Sequence, residues 1–174
     1  MKPFNISSPA QVQVQVVKTG WIKRSYRFLS GDDVVAELNY TKSYSNNASA
    51  IMHGVEFAIR RRGFWKQYLE ISSNSNEHYN MKVGLSWRGT MNVTDPDRKQ
   101  YVFRQTSVWK SKWGWINNRS ERLLVEMRSK NFSRKNRGII EIKDGEMKDL
   151  LFWIIVSWFV IMTTEAEAAA VSVV

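Results

Sequence analysis

Leu150 to Met162 reads LLFWIIVSWFVIM, thirteen residues in which Ser157 is the single polar member. The run is longer than an ordinary strand of roughly four to eight residues. It follows Asp144-Gly-Glu-Met-Lys-Asp149, whose acids suit the positive end of a helix. Its β-branched members (Ile154, Ile155, Val156, Val160, Ile161) favour a strand, but length decides for a helix. The expected helix covers about 147–164, with 165–174 as a tail. Thirteen residues rise about 20 Å, short of the roughly 30 Å of a bilayer core. Extending the run brings in Glu165 and Glu167, each costing about 2.5–3.5 kcal/mol at a bilayer centre. A helix buried in protein is therefore expected, with no integral membrane span. Such a helix, apolar on every side, cannot face water. Burying its side chains at about 1.5–3 kcal/mol each amounts to roughly a few tens of kcal/mol before entropy. The rest of the chain must surround it.

That remainder reads as strands. Gln11 to Lys18, QVQVQVVK, sets Val12, Val14 and Val16 on one face and three Gln on the other, the period of two of a half-buried strand. Short apolar runs follow about every ten residues: Trp21–Leu29, Val34–Tyr40, Ile51–Arg60, Phe64–Ile71, Tyr79–Trp87, Tyr101–Thr106, Val108–Ile116, Arg122–Arg128 and Gly138–Ile142. Turn chemistry such as Ser30-Gly31-Asp32-Asp33 separates them. The 174 residues suit one domain. The expected fold is mainly β: an antiparallel closed barrel of about 10–12 strands around a central hydrophobic C-terminal α-helix, one domain over 1–174. One weak repeat recurs at an offset of 44 residues: Phe57-Ala-Ile-Arg60 with Trp65-Lys66, then Tyr101-Val-Phe-Arg104 with Trp109-Lys110. A duplicated hairpin accounts for it better than a solenoid does.

A meander of short strands ending in an all-apolar helix resembles the tubby C-terminal-like superfamily, which includes tubby, the LURP-one-related proteins and the phospholipid scramblases. The residues that carry the resemblance are LLFWIIVSWFVIM, the early SYRFLSGDDVVAEL and the central YVFRQTSVWKSKWGWI, and it spans Val12 to about Thr164. It implies a twelve-stranded barrel closed around a central helix, and a choice among phosphoinositide binding, scramblase-like lipid movement and defence-linked roles. No acidic calcium loop follows the barrel and no cysteine is present, which counts against scramblase activity. Shared fold does not settle function.

Charge adds a partner class. The chain carries a net +10, and Arg98 to Ile140 holds 12 Lys/Arg against Glu121 and Glu126, while the other residues hold 14 bases and 14 acids. A focused positive field favours anionic partners. In Val108–Ile116, alternation places Trp109, Ser111, Trp113 and Trp115 on one face and Lys110 and Lys112 on the other. The earlier copy sets Phe57, Ile59 and Trp65 against Arg60, Arg62 and Lys66. With Arg104 these bases would form an outer stripe, unless Lys and Arg merely keep an outward face polar. Arg128 to Arg137, RSKNFSRKNR, adds Lys130, Arg134, Lys135 and Arg137 around one aromatic, Phe132, which would insert between headgroups or stack on a base.

Catalytic chemistry is not expected. His53 and His78 stand 25 residues apart without metal-ligand spacing, and Asp32-Asp33 and Asp95-Pro96-Asp97 sit in turn chemistry. No phosphate loop or nucleophile elbow occurs, so neither an enzyme activity nor a cofactor or metal is expected. MKPFNISSPAQVQ lacks the apolar run of a secretory signal, which leads to a cytoplasmic expectation. The expected role is a non-catalytic interaction module docking on phosphoinositide or other anionic lipid surfaces, with nucleic acid binding or a purely structural role as alternatives.

Overall fold

The computed structural model describes residues 12–20, 24–42, 46–130 and 136–171. Twelve strands follow in order: β1 (Val12–Lys18), β2 (Ser25–Ser30), β3 (Asp33–Tyr40), β4 (Asn47–Met52), β5 (Val55–Arg62), β6 (Gln67–Ser72), β7 (Met81–Leu85), β8 (Met91–Thr94), β9 (Gln100–Ser107), β10 (Lys112–Asn117), β11 (Leu123–Ser129) and β12 (Asn136–Ile142). Each pairs antiparallel with its neighbours in sequence, and β1 closes the barrel against β12. Two of these strands escape the apolar pattern. Ile51–Arg60 divides into β4 and β5 because His53 and Gly54 both adopt positive φ, 50° and 79°, the two-residue turn that joins twisted strands without splaying them. The four residues of β8 are too few for a pattern.

The thirteen-residue apolar run forms the core of α1 (Leu150–Val171), which begins three residues after Met147 and continues through part of the expected tail. Leu150 to Thr163 are all buried. The helix has no amphipathic stripe because strands lie on every side of it. Leu151, Trp153, Ile155, Trp158 and Phe159 are between 0% and 7% exposed.

Inward residues of the strands, and Tyr79 of the β6–β7 connection, meet α1 through aromatic packing. Tyr79 stacks on Phe152 with centroids 4.6 Å apart, and Tyr40 stacks on Phe159 at 5.4 Å. Trp115 and Trp153 pack edge to face at 5.7 Å. The single polar residue of the run has a partner: Trp115 Nε1 donates to Ser157 Oγ at 2.8 Å. The Tyr40 hydroxyl donates to the Phe159 carbonyl at 3.2 Å, and burial pushes its pKa well up.

Alternating hairpins fix two ends of the barrel. At one end lie the β6–β7, β8–β9 and β10–β11 connections and the entry of α1, where His78 Nε2 lies 2.7 Å from Asp149 and Lys148 lies 3.0 Å from Asp97. At the other lie the β5–β6, β7–β8, β9–β10 and β11–β12 connections and the end of α1. There Arg61 Nη1 meets Glu167 at 2.9 Å, and the Ser129 hydroxyl donates to Glu165.

Candidate functional site

The second end carries nearly all the exposed large apolar side chains of the described residues. Phe64 and Trp65 lie on the β5–β6 tip, Trp87 on the β7–β8 tip, and Val108 and Trp109 on the β9–β10 tip. Trp65 is 81% exposed, Trp87 66% and Trp109 98%. By contrast, Trp113, Trp115, Trp153 and Trp158 are buried. The three tips are consecutive around the barrel. At about 4.8 Å per strand they stand roughly 10 Å apart, forming one arc.

Local sequence explains why these side chains point away from the core. Gly63 turns at φ +85°, and a Cβ there would lie 2.1 Å from the Lys66 carbonyl oxygen. The strand period therefore ends before Phe64. Val108 to Ser111 form a turn in which Ser111 N donates to the Val108 carbonyl at 3.1 Å and Ser111 has φ 46°. In the β7–β8 connection Gly89 N donates back to the Ser86 carbonyl.

Each exposed tryptophan is followed directly by a base: Trp65-Lys66, Trp87-Arg88 and Trp109-Lys110, all three bases exposed. The spacing is 22 residues both times, one hairpin per step and half of the 44-residue repeat. Trp87 and Arg88 are absent from the expected site, although this dipeptide recurrence signals them in the sequence itself.

The expected strand Val108–Ile116 is corrected: 108–111 is a turn, β10 begins at Lys112, and Trp109 does not share the buried face of Trp113 and Trp115. Trp65 likewise leaves the inward parity of Phe57 and Ile59. Arg61 takes that inward place instead, buried against Gln67 Oε1 at 2.6 Å and Glu167.

The outer stripe is also corrected. Arg60 and Arg62 sit on β5 and Arg104 on β9, with β6, β7 and β8 between them. Arg62 reaches Glu70 at 3.4 Å, and Lys112 reaches Glu126 at 3.1 Å. Lys66 and Lys110 are the members brought to the rim.

Lys130 is exposed at the same end, where its N–H donates to the Arg137 carbonyl at 2.6 Å and closes the β11–β12 connection. Arg137 faces inward, near Tyr26 and Glu165. Burial raises the Glu165 carboxyl pKa, against a hydrogen bond from Ser129 and the charge of Arg137. Phe132, Arg134 and Lys135 lie outside the described residues.

Comparison with known proteins gives a likeness to a solved structure. A crystal structure of a protein from Arabidopsis thaliana aligns with 8% identity over 92% of this chain and 93% of its own, at a TM-score of 0.49. No protein-family model matches the chain. No curated protein matches it.

Proposed function

We propose that this barrel is a non-catalytic module of the tubby C-terminal-like kind that docks reversibly, by one end, on anionic membrane surfaces of the cytoplasm. The observation that carries the reading is the recurrence of an exposed Trp-base pair on three consecutive tips. Tryptophan suits a membrane interface because its ring is apolar and its N–H can stay wet. The adjoining Lys66, Arg88 and Lys110 then lie at headgroup depth. At about 1.5–3 kcal/mol for each ring and about 1 kcal/mol for each base, three pairs supply roughly 7–12 kcal/mol before ordering costs. Micromolar binding corresponds to about 8 kcal/mol. Helix α1 is long and apolar enough to cross a membrane by length and composition, but its Leu150 to Thr163 are buried among the strands. Contact with lipid therefore falls to the tips.

Vesicle sedimentation tests this. The full chain should pellet with phosphatidylserine- or phosphoinositide-containing vesicles, with a blue shift of tryptophan emission, and not with phosphatidylcholine alone. A combined Trp65→Ala, Trp87→Ala, Trp109→Ala variant should bind at least tenfold more weakly, as should Lys66→Ala, Arg88→Ala, Lys110→Ala. Unchanged binding by both variants would refute the tip geometry. Binding to single-stranded oligonucleotides but not to vesicles would assign the same rings to base stacking.

A further inference from the structure

The barrel has a split far from the rim. Strands β7 and β8 pair only at Leu85–Met91, whereas every other neighbouring pair shares at least four positions. If their hairpin zipped onward, Gly84 would face Asn92, Val83 Val93, Lys82 Thr94 and Met81 Asp95. Those eight residues instead line a cavity of about 450 Å³. Phe152 and Trp153 of α1 also line it. The outer edges of β7 and β8 are occupied by β6 and β9. Each strand therefore has one unused edge, and both unused edges face the cavity. Backbone N–H and C=O groups along such edges are a template for an added strand.

The split is held open by its surroundings. His78–Asp149 ties the β6–β7 connection to the segment before α1, and Lys148–Asp97 ties the β8–β9 connection to the same segment. Tyr79, stacked on Phe152, walls one side. The acids of the lip are engaged: Asp149 with His78, Asp97 with Lys148, and Asp95 with the Lys99 N–H and the Tyr101 hydroxyl. Lys82 makes no ion pair among the described residues and lies 5.7 Å over the Tyr68 ring. Asp95 keeps its charge among neutral donors, so the positive spot of the lip is local to Lys82.

We infer that this cleft is a peptide-binding site, taking an extended segment of about four residues between β7 and β8, with an apolar side chain toward Phe152 and Trp153 and an acidic group beside Lys82. Four residues span about 13 Å, the length of the free edge on either strand. Backbone bonds would supply recognition common to many sequences, and the aromatic floor and Lys82 would supply selectivity.

The chain contains no cysteine, so a Val83→Cys, Val93→Cys double variant tests the cleft cleanly: oxidation zips the hairpin and reduction reopens it. Random hexapeptides displayed on phage should enrich for sequences with an apolar residue and an acid. Synthetic versions should bind the reduced variant and wild type, and lose at least tenfold on oxidation of the variant. Hydrogen exchange of wild type should show peptide protection confined to 82–84 and 92–94, which keeps the test decisive if the disulfide variant fails to fold. Lys82→Glu should shift enrichment from acidic to basic sequences. No enrichment, protection elsewhere, or equal binding by the oxidised variant would overturn the assignment. A naphthalene-sulfonate dye bound at the cleft without any peptide binding would overturn it in favour of a small-molecule pocket.

Discussion

Ser157 and Gly138 show how much single residues carry in a barrel this full. Ser157 interrupts the apolar run because Trp115 brings an indole N–H to it at 2.8 Å; a buried donor left without a partner costs about 1–3 kcal/mol. Gly138, on β12, leaves room for Trp158: a Cβ there would lie 2.2 Å from the Trp158 ring and 2.5 Å from the Arg128 carbonyl oxygen. Neither neighbour has space to retreat, since Trp158 is fully buried against Tyr26 and Phe28. Gly138→Ala should therefore destabilise by about 1–3 kcal/mol through overpacking. In thermal unfolding that reads as roughly 2–12 °C for a chain of this size. An unchanged midpoint would mean the ring or strand shifts at no cost. Neither pairing is legible in the sequence, because it joins residues 42 and 20 positions apart whose meeting depends on strand register.

Strands β10, β11 and β12 hold a charge cluster that shapes the response to pH. Glu126 is buried, with Lys112 at 3.1 Å and Arg128 at 2.6 Å, and Arg128 also lies 3.9 Å from Glu141. Burial pushes the Glu126 carboxyl up, but hydrogen bonds and charge from Arg128 and Lys112 outweigh it and hold the pKa below its ordinary value. The folded state then binds fewer protons than the unfolded chain across that window. This contribution is present above the ordinary carboxyl pKa and is lost as pH falls through the depressed value. Glu126→Gln should lower stability at neutral pH and flatten the dependence of unfolding free energy between about pH 3 and 5, as measured by denaturant titrations at several pH values. A steeper acid limb in the variant would contradict the assignment. Within these strands the alternation of apolar residues was readable for Trp113 and Trp115. The misplacement of Trp109 arose because a turn of ordinary residues interrupts the period without glycine or proline.

For the whole molecule, the barrel and its helix each depend on the other. The barrel lining packs on α1 through Phe57, Trp115 and Tyr40 of the strands and Tyr79 of the β6–β7 connection. A chain ending at Asp149 would expose that lining, so it should lose near-ultraviolet dichroism and cooperative unfolding and aggregate. A monomeric, cooperatively folded truncation would show that the strands close without the helix. The sequence by itself determined that an apolar helix must be buried and that strands of period two must do the burying, because both follow from local spacing and the cost of wetting apolar surface. Length was the weaker reason against a membrane span: α1 runs 22 residues, long and apolar enough to cross one. The closed sheet encloses its first part, Leu150 to Thr163. Only the tertiary structure could gather Trp65, Trp87 and Trp109 onto one rim, separate Arg60 from Arg104, and leave β7 and β8 unzipped, because these follow from which hairpin ends share a side of the barrel and where a ladder stops. Neither quantity is written in any local window of sequence.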